Sequence, residues 1–188
     1  MKYVLTLLFF AASALAQSPS QGVAADWDVA PTVDALSAQA KRLKPILDQL
    51  TPQEWVAQGA PQTYVAQWKG AEDELRYLVD SAAALKKQPE RLTLALDTYF
   101  RLQGLTARLD SLVDGVRHYQ NPAVGDLLVG VLAENSANRD QLRQYITDLA
   151  ATKEQEFAIA DKEAQRCRGI LNHQPAKPAA TTKKSPNP

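Results

Sequence analysis

From Asn121-Pro122 to about Leu171 the chain has no further proline, and its apolar residues recur at helical spacing. The line runs through Val124, Leu127 and Leu128, Val131, Asn138, Leu142, Tyr145 and Leu149, and continues through Phe157, Ala160, Ala164, Cys167 and Leu171. This periodicity predicts one very long helix. Asn121 suits the N-cap, where its side chain can accept an orphan backbone N–H, and Pro122 suits the first helical position. Asp126 near the start and Arg166 and Arg168 near the end complement the helix dipole, and Gly169 supplies a stop. At about 1.5 Å per residue the helix spans roughly 70 Å. Every other helical segment is shorter and can pack only on its first part.

Three more amphipathic helices precede it. The first is expected from Pro31-Thr32 to Leu50, with Val33, Leu36, Ala40, Leu43, Leu47 and Leu50 at alternating spacings of three and four. Pro45 lies inside it and should kink it. Thr51-Pro52-Gln53-Glu54 then reads as a capping box opening a short turn through Trp55 and Val56, ended by Gly59-Ala60-Pro61. The second long helix covers Gln62 to Lys87, with Tyr64, Trp68, Ala71, Leu75, Leu78, Ala82 and Leu85 as its seam. The third covers Pro89 to Tyr119, with Leu92, Ala95, Tyr99, Leu102, Thr106, Leu109, Val113 and Val116 on one line. Phe100, Leu105 and Leu112 widen that stripe. Short loops between helices of similar length make antiparallel neighbours. The expected fold class is therefore all-α: an antiparallel up-down bundle of three to four helices with a long, protruding C-terminal helix.

The two ends of the chain read differently. Residues 1–16 have the pattern of a signal peptide: Lys2, an apolar run from Val4 to Leu15, and the small-residue cleavage site Ala14-Leu15-Ala16. The run is short for a membrane span, and no other stretch approaches one. No cysteine follows the cleavage site, which argues against a lipid anchor. Residues 17–28 are expected to be a flexible N-terminal segment, 29–171 the helical domain, and 172–188 a disordered tail rich in Pro and Lys. The expected location is export, to the periplasm or the extracellular space. All 21 acidic residues lie between Asp26 and Glu163, whereas four of the 21 basic ones lie in the signal peptide (Lys2) or the tail (Lys177, Lys183 and Lys184). The folded part is thus mildly acidic, which argues against nucleic-acid binding.

Few residues carry chemistry. Cys167 is the single cysteine, so an internal disulfide framework is excluded, and Cys167-Arg168-Gly169-Ile170-Leu171 lacks the haem-attachment pattern. The two histidines, His118 and His173, have Gly115 and Ile170 three positions before them rather than Glu, so the di-iron pattern of helical bundles is missing. No metal and no cofactor is expected. His118 as a general base is a weak enzyme reading, because a histidine in a helix's last turn ordinarily complements the dipole. Asn135 and Asn138 lie on or beside the apolar line, where a buried amide would fix helix register or, less commonly, bind a ligand.

Two features remain. Up-down topology should bring Trp55, Tyr64, Trp68, His118 and Tyr119 together at one pole, with Trp68 core-facing and Trp55 over it. Such aromatics line a groove for a small molecule or a cell-wall fragment, or, more commonly, plug the end of a bundle. The second feature is the far part of the long helix. Phe157, Ala160, Ala164, Cys167 and Leu171 form an apolar line beyond the level, near Thr152, where neighbouring helices end. A homodimer through this helix is expected, with Cys167 bonding across a parallel pair. The competing possibilities are a break near Ala150-Ala151 with the helix folding back, or cover by N-terminal residues. The leading function is a non-enzymatic interaction or assembly protein of the cell envelope, with an envelope protein of unknown identity as partner. The alternative is a binding module at the aromatic pole.

Overall fold

A computed structural model of the chain describes residues 28–172. The signal-peptide pattern, nearly all of the N-terminal segment and all but the first residue of the tail lie outside them. Six helices follow one another: α1 (Ala30–Leu47), α2 (Pro52–Ala57), α3 (Thr63–Lys87), α4 (Leu92–Tyr119), α5 (Pro122–Ala133) and α6 (Asn135–Asn172). Among the described residues there is no strand, and no helix is long and apolar enough to cross a membrane.

The helices close a four-cornered ring in which α1 packs on α3, α3 on α4, α4 on α5 and α6, and these two return to α1. Side-chain ties fix the directions. Along α1 and the last corner, Thr32 near the start of α1 pairs with Gln141 at 3.1 Å, whereas further along α1 Gln39 pairs with Val131 and Arg42 with Glu134, both at 2.5 Å, so α1 runs antiparallel to this corner. Asp34–Lys86 and Leu47–Trp68 do the same for α1 and α3. Glu74–Arg101 joins α3 to α4, and Arg117–Asp126 joins α4 to α5 across their turn at 2.7 Å. The architecture is the all-α up-down bundle with a long C-terminal helix.

Each seam buries what its spacing requires. Leu36, Leu43 and Leu47 of α1, Leu85 of α3, and Leu102, Leu105, Leu109 and Leu112 of α4 are all essentially inaccessible, and Leu128 and Leu142 complete the last corner. Fully burying one such side chain is worth about 1.5–3 kcal/mol. Two members of the expected stripes face solvent instead: Phe100 is 64% exposed and Leu127 55%. Each sits on a face of its helix that turns away from both neighbours. Asn121 caps α5 as expected, its side chain accepting the Ala123 N–H at 2.9 Å.

The long helix departs from expectation at one residue. It is interrupted at Glu134, whose backbone keeps helical angles, so α5 and α6 occupy the same corner of the ring. In an unbroken helix the Val131 carbonyl would accept the N–H of residue 135. Here the amide of Gln39, 1% exposed, donates to it at 2.5 Å, and the Ser136 hydroxyl donates to the Ala133 carbonyl at 3.1 Å. The amide buried in the core is therefore Gln39 on α1. Asn138, the sequence-based candidate, is half-buried; the Asn135 side chain lies outside what is described.

At the opposite end from the α4–α5 turn, the buried Tyr145 hydroxyl donates to the Pro89 carbonyl in the α3–α4 turn. Burial, and then the nearby Glu90 carboxylate, push its phenol above the ordinary value. The last buried residue of the chain among those described is Leu149. Helix α4 has 28 residues, and the same number counted from Pro122 ends at Leu149. The remainder of α6 runs on past its neighbours without folding back, to Asn172.

Two measurements check these ties. Gln39→Ala leaves the Val131 carbonyl buried without its donor, and should cost about 1–3 kcal/mol in urea unfolding; a cost near zero would mean that water or the backbone replaces the amide. Tyr145→Phe should cost about 1 kcal/mol near neutral pH. Because the folded state holds the phenolic proton more tightly than the unfolded chain, this stabilisation is complete below pH about 10 and declines as pH rises further. The difference in urea midpoint between wild type and Tyr145→Phe should therefore shrink above pH about 10, and a constant difference would contradict the assignment.

Candidate functional site

Two regions carry the candidate residues, and the structure treats them differently. At the pole where α1 meets α2 and α4 meets α5, Trp55 is completely buried. Its ring meets Tyr64 edge-on, with centroids 5.8 Å apart, Tyr64 meets Tyr119 at 6.2 Å, and Tyr119 meets His118 at 4.5 Å. Tyr64 and Tyr119 are half-buried, whereas His118 is exposed at the rim. The space for this stack comes from Gly115 on α4. A Cβ there would lie 2.8 Å from the Tyr64 ring and 3.1 Å from Trp55.

Trp68 does not hold the central place expected of it. It is half-buried one turn along α3 from Tyr64, and its indole N–H donates to the Leu47 carbonyl at the end of α1 at 3.0 Å. The core tryptophan is Trp55. The short α2 folds under the ends of α1 and α4 and so carries Trp55 into a space that the α3 seam reaches only with Tyr64.

The expected capping box is also replaced. Thr51 makes no side-chain cap. In such a box Glu54 would take the Thr51 N–H; the Gln120 side-chain carbonyl takes it instead, at 3.1 Å, and accepts the Trp55 indole N–H at 3.2 Å as well. The Gln120 amide then donates to the Gln49 carbonyl at 2.9 Å. One glutamine in the α4–α5 turn thus ties down the whole α1–α2 connection. After α2 the chain reverses at Gly59, with φ of +101°, a conformation that glycine adopts without a steric penalty.

Chemically, this pole is a plug. Both indole N–H groups are spent on protein acceptors, and the largest ring is out of reach of solvent. Two surface depressions lie elsewhere: a groove between α1 and α3, floored by Ala40 and Leu75 and rimmed by Lys44, Glu72, Arg76 and Asp80, and a smaller one between Val29 and Tyr145. Neither is lined by the pole aromatics. Among the described residues no group of three or more His, Cys, Asp or Glu side chains converges as a metal site would require.

The second region is the arm, α6 beyond Leu149. Phe157 is 75% exposed, Leu171 64%, Ile159 58% and Ile170 57%. Ala160 and Cys167 are exposed and Ala164 is half-exposed, so the whole apolar line named from the sequence is brought onto one stretch of helix without a neighbour among the described residues; the N-terminal residues considered as a cover lie outside them. Ile159 and Ile170, eleven residues apart, share a second face roughly 110° around the helix from that line, a spacing visible in the sequence. The polar contacts on the arm are local, such as Lys153–Glu156 at 2.9 Å and Gln165–Asp161 at 2.8 Å.

The pole gives a direct test. Trp55→Ala should cost about 3–5 kcal/mol through lost burial and a cavity. Trp68→Ala should cost about 1–2 kcal/mol, in proportion to its partial burial. Equal losses in urea unfolding would mean that the two rings share the core.

Comparison with protein-family models, with curated proteins and with solved structures finds no match in any of the three. The functional argument therefore rests on the geometry of this chain.

Proposed function

We propose that this protein is an exported, non-enzymatic interaction or assembly protein of the cell envelope, and that the arm is its working part. The observation that carries this is the exposure of Phe157 and Leu171, and of Ile159 and Ile170 on a second face, on a helix with no neighbour among the described residues. Phe157 and Leu171 stand on one face, joined by Ala160, Ala164 and Cys167, and an exposed apolar line of this kind is ordinarily covered by a partner. A helix bearing such a stripe binds by laying it against another helix or into a groove. The bundle serves as the rigid mount: its core is closed, its pole is plugged, and its last corner holds the arm's base. The signal-peptide pattern of residues 1–16 supports export.

In an envelope extract from the source cells, the mature chain should sediment in a species larger than its own mass. A chain truncated after Lys153 should sediment at its own mass, while its thermal unfolding stays close to that of the full chain. If truncation leaves the size of the species unchanged, the arm is not the interaction element.

A further inference from the structure

The charges of the arm are divided along its length. Glu154, Glu156 and Asp161 crowd the half nearer the bundle, against Lys153 alone, and Lys162 and Glu163 sit at the middle. The outer half carries Arg166 and Arg168, and no acidic residue follows Glu163. Building on the arm as interaction element, we propose that its partner is the arm of a second copy of this chain, lying antiparallel along it. That arrangement sets each acidic inner half beside the other copy's basic tip, whereas a parallel pair stacks acid on acid and base on base.

The apolar line fits the same arrangement. Antiparallel helices seat the first seam position of one against the second seam position of the other. With the midpoint at Lys162, Phe157 of each copy lies over Cys167 of the other, Ala160 over Ala164, and Leu171 over the alkyl stem of Lys153. The central alanine layers let the two backbones approach closely. Overlap then extends from Thr152 to Asn172, the part of α6 that follows the last buried residue, Leu149. Asp161 and Glu163 meet their own copies near the midpoint, and this like-charge contact keeps the association weak and reversible.

Cys167 reports the direction. In the antiparallel pair each Cys167 lies five residues from the midpoint, so the two are about 15 Å apart along the axis. A disulfide needs Cα atoms within about 7 Å. The Cys167 bridge expected for a parallel pair is therefore ruled out by this arrangement.

Sedimentation equilibrium of the purified mature chain at tens of micromolar should show a dimer that weakens as salt is raised. Phe157→Glu should be monomeric with unchanged thermal unfolding of the bundle. Mild oxidation should leave wild type uncrosslinked and should link Phe157→Cys chains between position 157 and Cys167 of the other copy. Because Phe157→Cys removes the largest side chain of the stripe, a second pair serves as control. Ala160→Cys and Ala164→Cys chains, each also carrying Cys167→Ala, should crosslink when mixed and not when oxidised separately. A Cys167–Cys167 link in wild type would overturn the antiparallel arrangement while leaving the arm as interaction element. A monomer at every concentration would overturn the second copy as partner; the arm's role would then be decided by the truncation in envelope extract, which does not depend on self-association.

Discussion

The structure depends on a mismatch of length. Antiparallel helices joined by a tight turn bury each other only as far as the shorter one reaches, and α4 stops matching the last corner at Leu149. Before that point every third or fourth side chain of α5 and α6 has somewhere to go. After it the same periodicity continues with nothing opposite among the described residues. An apolar stripe has no stabilising role on an isolated helix, so its persistence through Phe157 and Leu171 is the part of the sequence that the bundle itself does not explain.

Two glutamines do work that helices usually leave to their own backbone. Gln39 supplies a donor where the ladder lapses at Glu134, and Gln120 supplies an acceptor and a donor where α1 gives way to α2. In both places backbone groups at a helix defect would otherwise be stranded near the core, where an unmet hydrogen bond costs about 1–3 kcal/mol. Both ties also span the bundle, so each defect is closed only when distant helices have docked. The surface ion pairs between the same helices, such as Arg42–Glu134, are exposed and contribute far less.

The seams were legible because burial and helical period leave little freedom: Leu36, Leu75, Leu109 and Leu142 could be assigned from spacing alone. Gln39 was also within reach, since it falls between Leu36 and Leu43 on the same line. Gln120 was not, because a turn residue tying a loop some seventy positions away has no local pattern. The exchange of Trp55 and Trp68 has a similar origin. The α3 seam correctly gives Trp68 an inward lean, but a six-residue helix can bring Trp55 deeper than any seam position at that level. The arm line was legible residue by residue, as was its division of charge, whereas its projection past the other described helices became visible only once the lengths of α1 and α4 were fixed.

The arm is also the continuation of a helix already formed. Starting a helix in water is unfavourable by about 4 kcal/mol, the cost of ordering a first turn before any ladder exists. The buried turns around Leu142 and Leu149 have already met that cost, and the arm needs only to add residues to an existing end. A peptide of the same sequence would have to nucleate afresh and would be marginal as a helix. The bundle thus acts as a template, presenting a partner with a preformed surface rather than a chain that must fold as it binds.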